Sequence, residues 1–126
     1  MALPGLILLL AGLGFIGFGL AYAVRPRPMG ALTDVAPATP TALADFLATY
    51  GGFQIGFGGF LVVCTRVDGW LEPGLFAASA ALAGFALLRS VGILLAGNQV
   101  RRTIWLGLGL EVAGLALTLS ALARLR

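Results

Sequence analysis

Four side chains stand in stretches too apolar to need them: Tyr50, Gln54, Arg89 and Glu111. An arginine and a glutamate set inside hydrocarbon are costly singly and offset each other when paired. Tyrosine and glutamine add donors and acceptors without adding charge. Such a group can lock helices in register, hold a ligand with a carbonyl or anionic head, or pass protons through Glu111. Its value depends on whether the chain brings the four together.

The elements that would position them are long apolar runs. Leu3 to Val24 carries no charge and is long enough to span about 30 Å of hydrocarbon. Ala21-Tyr22-Ala23 mimics a leader cleavage site. The run is nevertheless too long for a leader, and no Lys or Arg precedes it, so it reads as a membrane helix. Further helices are expected over about 43–64, 74–96 and 103–123. Between the first two lies a proline-rich surface loop over 26–41, with room for a short surface helix, and Thr41 is the expected N-cap of the second long helix. The expected fold is all-α: an integral membrane four-helix up-down bundle in a single domain over 1–126.

With a rise of 1.5 Å per residue, Arg89 falls about 6 Å, Tyr50 about 5 Å and Glu111 about 3 Å from the midplane, all toward the same side. Gln54 falls near the centre. Shared depth predicts an Arg89–Glu111 ion pair between the third and fourth helices, with Tyr50 and Gln54 beside it.

Composition narrows the class. Of 126 residues, 60% are hydrophobic and 10% charged, too few charges to cover a water-facing surface. The eight basic residues are all arginine and stand mostly at the ends of apolar runs, where they meet lipid headgroups. They form no basic stripe with interleaved aromatics, so no nucleic-acid partner is expected. Arg25, Arg27, Arg101 and Arg102 fall on one side of the bundle; Arg66, Arg124, Arg126 and the terminal amine fall on the other. That balance leaves the orientation open.

One cysteine, Cys64, excludes an internal disulfide, and the absence of histidine removes the commonest zinc and haem ligand and the usual general base. No metal, no cofactor and no catalytic residue is expected.

Ala48 to Leu61 reads ATYGGFQIGFGGFL. At 100° per residue, Tyr50, Gln54 and Phe57 share one face, while Gly52, Gly56 and Gly59 share the opposite one. The glycine face predicts close helix packing, as do Gly107 and Gly114, which flank Glu111 along the fourth helix. The run is no nucleotide loop, because it follows no strand. Asp45 fits the start of its helix as an acid near the positive end of the dipole.

An acid ahead of Tyr50-Gly51-Gly52, then Gly56 and Gly58, Arg89 with Gly92 and Gly97, and Glu111 in the last helix carry a resemblance. The chain resembles the bacterial four-helix membrane family of domain of unknown function 4345, over most of its length. More distantly it is similar in fold to DoxX-like four-helix proteins. In the family pattern an arginine usually stands three before the tyrosine; here that position is Leu47. The resemblance implies a multi-pass protein of a bacterial inner membrane and implies no reaction.

Two functions are compatible with these residues. One is a non-enzymatic accessory or structural subunit of a larger membrane complex, docking on other subunits or on itself through small-residue faces such as Ala77/Ala81 and Ala80/Gly84. The other is a membrane protein that binds a quinone, lipid or other small lipophilic or anionic ligand at Tyr50, Gln54, Arg89 and Glu111. A proton channel is a third possibility and would require an oligomer with Glu111 on a shared axis.

Overall fold

The structure is a computed structural model and describes residues 1–126. It contains helices only. They are α1 (Leu3–Val24), the short α2 (Pro26–Ala31), α3 (Pro40–Cys64), α4 (Leu71–Leu95) and α5 (Arg102–Ala123). The four long ones are each long and apolar enough to cross a membrane. Leucines such as Leu13, Leu20, Leu87, Leu94 and Leu119 point outward, as lipid-facing side chains do.

Helix ends differ from expectation where proline is involved. α3 begins at Pro40, and its cap is Thr39 rather than Thr41: the Thr39 hydroxyl accepts the Ala42 N–H at 3.1 Å. Proline suits the first helical position, where its missing N–H would have no partner in any case. For the same reason α4 starts at Leu71 and carries Pro73 in its first turn. α4 stops where Gly97 and Asn98 take positive φ angles of 63° each.

The helices pack as two antiparallel pairs, α1 with α3 and α4 with α5. In the first pair, glycines meet backbone to backbone. A Cβ on Gly58 would lie 2.5 Å from the Gly12 carbonyl oxygen, and one on Gly19 would lie 2.8 Å from the Gly51 oxygen. Gly12 and Gly19 are seven residues apart, as are Gly51 and Gly58, so the seam repeats every two turns. The expected packing face of Gly52, Gly56 and Gly59 is thus not the one that α3 turns toward another helix of this chain. Nothing lies within 4 Å of a Cβ built on Gly56 or Gly59, and Gly52 meets only its own helix at Leu47. The buried stripe of α3 is the one that carries Gly51, Gln54, Gly58 and Leu61.

The two pairs join at one end. Leu8, Leu61, Cys64, Leu75, Ala78, Ala121 and Leu122 form the core there. Gly74 lets α4 close against both Leu8 and Cys64; an added Cβ would sit 2.7 Å from each. Toward the other end the pairs part, and two cavities lie between them. That end is strapped at the surface. Arg101 donates from Nη1 to Asp34 at 2.6 Å and to the Ala31 carbonyl at 3.0 Å, and the Thr103 hydroxyl donates to the Leu32 carbonyl.

Candidate functional site

α4 and α5 meet along stripes spaced by three and four residues. Ser79, Leu82 and Arg89 of α4 face Thr118, Gly114 and Glu111 of α5 in antiparallel order. Arg89 Nε donates to both Glu111 oxygens, at 3.0 and 2.9 Å, and Nη2 donates to Oε1 at 2.6 Å. Their side chains are 29% and 12% exposed. Gly107, one turn from Glu111, leaves room for the guanidinium: an added Cβ would lie 3.4 Å from Arg89 Cζ. Gly114 does the same for Leu82, at 3.2 Å. Gly107 and Gly114 therefore face α4, whereas Gly109 of the same helix meets nothing.

Tyr50 and Gln54 come from α3, where the Leu47–Gly52 turn is π-helical and the Phe53 N–H reaches back to the Ala48 carbonyl. Turns of this kind widen the helix locally and recur at functional sites. Tyr50 stacks on Phe46 with ring centroids 4.7 Å apart, and Tyr22 of α1 lies 5.6 Å from each of them. Phe18 stacks on Tyr22 at 4.3 Å. The aromatic stack fixes the ring of Tyr50 and closes the α1–α3 side of the site.

A cavity of about 500 Å³ brings all four polar residues together: Tyr50, Gln54, Arg89 and Glu111 line it. Its other walls are mainly apolar, from Ile7, Phe15 and Phe18 of α1 and Leu82 and Leu117 of α4 and α5. Leu10 and Gly14 of α1 and Leu110 and Leu117 of α5 line it while remaining exposed on the outer surface. The cavity is thus a cleft that opens sideways, between α1 and α5. A second cavity, of about 860 Å³, reaches up to α2 and the following loop. The two share Phe18, Tyr50, Phe85, Arg89, Gly107 and Leu110, so Arg89 stands at their junction. Ala80, Ala81 and Gly84 of α4 line the second cavity, which makes them its wall.

Gln54 is 7% exposed, yet its amide makes no hydrogen bond within the chain. No sealed polar side-chain atom lacks a partner anywhere in the molecule, so the Gln54 amide opens onto the cavity. Arg89 Nη1 also has no acceptor within the chain. At the far end of the cavity, the Ser79 hydroxyl donates to Thr118 Oγ1 at 2.8 Å, and Thr118 donates to the Leu115 carbonyl at 3.1 Å. That pair satisfies itself.

Tyr22, Phe18 and the Ser79–Thr118 pair were not singled out in the sequence. Serine and threonine in a membrane helix bond readily to their own backbone, which hides a partner on another helix. Tyr22 sits at the end of an uncharged run, where a tyrosine is ordinarily an interfacial anchor. The Gly12/Gly19 and Gly51/Gly58 seam had a visible signal in its matched seven-residue spacing. No three His, Cys, Asp or Glu side chains come together as a metal site would need.

No curated protein and no solved structure matches the chain. The family model described as Domain of unknown function (DUF4345) matches residues 5–122. With four helices that can span a bilayer and a match over nearly its whole length, this small multi-pass membrane protein belongs to the DUF4345 family.

Proposed function

We propose that the protein binds a small lipophilic molecule within the membrane, its polar head at Tyr50, Gln54 and the Arg89–Glu111 pair. The observation that carries this reading is the Gln54 amide, almost wholly buried, unpartnered in the chain and open to the cavity. An unsatisfied amide in hydrocarbon costs several kcal/mol by order of magnitude (~2–7), so a bound acceptor or donor there is favourable. Apolar walls suit the body of a quinone or lipid. The opening between α1 and α5 admits such a molecule directly from the bilayer. No catalytic group is assigned, and the role is binding, in a bacterial inner membrane as the family resemblance implies.

The test is native mass spectrometry of the protein extracted from its own membrane in mild detergent. An adduct of small-molecule mass is expected on the wild type, and its loss on monodisperse Gln54→Leu. A wild type free of any adduct, in a protein that otherwise survives extraction intact, would sink the reading.

A second reading has one observation in its favour. The face of α3 that carries Gly52, Gly56 and Gly59 is covered by nothing in the chain, and small-residue faces admit another helix closely. It would make the protein an accessory subunit docked on another membrane protein. In the same spectra this reading expects a stable mass that contains further polypeptides and is lost on Gly56→Leu.

A further inference from the structure

Charge is balanced around the cavities. Only Arg89 and Glu111 carry formal charge around the first, and only Arg89 around the second; Tyr50 and Tyr22 are the other titratable groups present. Three hydrogen bonds to both oxygens of Glu111 already match the charge of Arg89. What remains is mostly donors: the two N–H bonds of Nη1, the second N–H of Nη2, the Gln54 amide N–H bonds and the Tyr50 hydroxyl, with the Gln54 carbonyl and Tyr50 oxygens as the neutral acceptors.

A carboxylate or phosphate entering here would place a second anion beside Glu111, with no second cation to meet it. In an apolar cleft an unmatched charge is strongly disfavoured. A neutral carbonyl oxygen accepts from the free donors and leaves the ion pair intact. We infer that the site selects a neutral carbonyl head on an apolar chain and rejects carboxylate amphiphiles of the same length. This rests on the ligand-binding reading above and adds the charge of the head.

The shape of the cleft fits. It follows α1 from Ile7 to Phe18, about 16 Å along the axis. The free donors lie toward the Phe18 end, and the self-satisfied Ser79–Thr118 pair lies toward the other. The head therefore sits at Arg89 and the chain runs toward Ile7 or out between α1 and α5.

The probes are methyl laurate, a decyl-substituted benzoquinone and laurate, each added at one concentration to detergent-solubilised protein at a pH where laurate is ionised. Adducts are read by native mass spectrometry. Methyl laurate or the quinone is expected to bind about tenfold better than laurate or more. An adduct with the ester alone assigns the carbonyl to an acyl lipid, and one with the quinone alone assigns it to a ring; either supports a neutral head. Laurate binding as well as, or better than, both neutral probes overturns the inference while leaving the ligand reading intact. If none of the three binds, both fall.

Glu111→Gln removes the anion that matches Arg89 and should raise laurate binding about tenfold relative to methyl laurate. An unchanged preference in a monodisperse variant would overturn the charge argument. The wild-type comparison decides the matter if that variant does not fold.

Discussion

Arg89 and Glu111 act as one unit at the residue scale. Removing either leaves the other in a mostly apolar setting, whereas removing both removes the cost with the benefit. Arg89→Leu and Glu111→Leu are each expected to lower thermal stability, and the double variant to lose less than the sum of the two, by a coupling of about 0.5–3 kcal/mol. Unfolding midpoints in one detergent measure this, and strictly additive losses would show that the pair does not contribute to the fold. Arg101 and Asp34 are a contrasting case. Their side chains are 55% and 68% exposed, so the bridge between them is a surface pair. Asp34→Asn, which removes the charge and keeps a side chain that tolerates the positive φ of 60° at that position, is expected to change stability by no more than about 1 kcal/mol, measurable in the same melts.

Glycine placement separates packed from free faces at the scale of the helix. In α3 the stripe with Gly51 and Gly58 meets α1, and the stripe with Gly56 and Gly59 meets nothing in the chain. Gly58→Val is expected to force α1 and α3 apart and to cost about 1–3 kcal/mol or more, as overpacking does. Gly56→Ala has open space and gains helix propensity, so it should be neutral or stabilising by up to about 1 kcal/mol. Equal losses from the two substitutions would contradict the seam described here. Within the same helix, the π-helical turn at Leu47–Gly52 holds Phe46 and Tyr50 in one stack.

The whole molecule is two helix pairs joined at one end and parted at the other. In a bilayer, apolar burial between helices gains little over lipid contact, so tight association depends on close packing and on polar pairs. The closed end supplies the packing through Leu8, Cys64 and Gly74, while the parted end leaves the cleft. Gly14 lines that cleft with nothing near it. Gly14→Phe is therefore expected to fold with an unchanged melting temperature in the absence of ligand, and to abolish adduct formation in native spectra. Retained binding would place the ligand elsewhere.

Much of this architecture was legible in the chain. Apolar runs of more than twenty residues with few or no charges can do little but cross a membrane as helices, because every backbone group must be satisfied within the segment. The pairing of Arg89 with Glu111 was legible too, since a lone charge is costly in hydrocarbon and the two lie at matching depth. Helix ends were less so: Thr39 and Pro40 displace the start expected near Leu43, because a cap depends on local geometry. Which glycine stripe packs was not decided by α3 alone. Both stripes carry glycines, the free one more of them, and it is the partner glycines Gly12 and Gly19 of α1 that meet Gly58 and Gly51. The cleft and the free Gln54 amide belong entirely to the tertiary structure, because a gap exists only in the relation between helices that meet at one end and separate at the other.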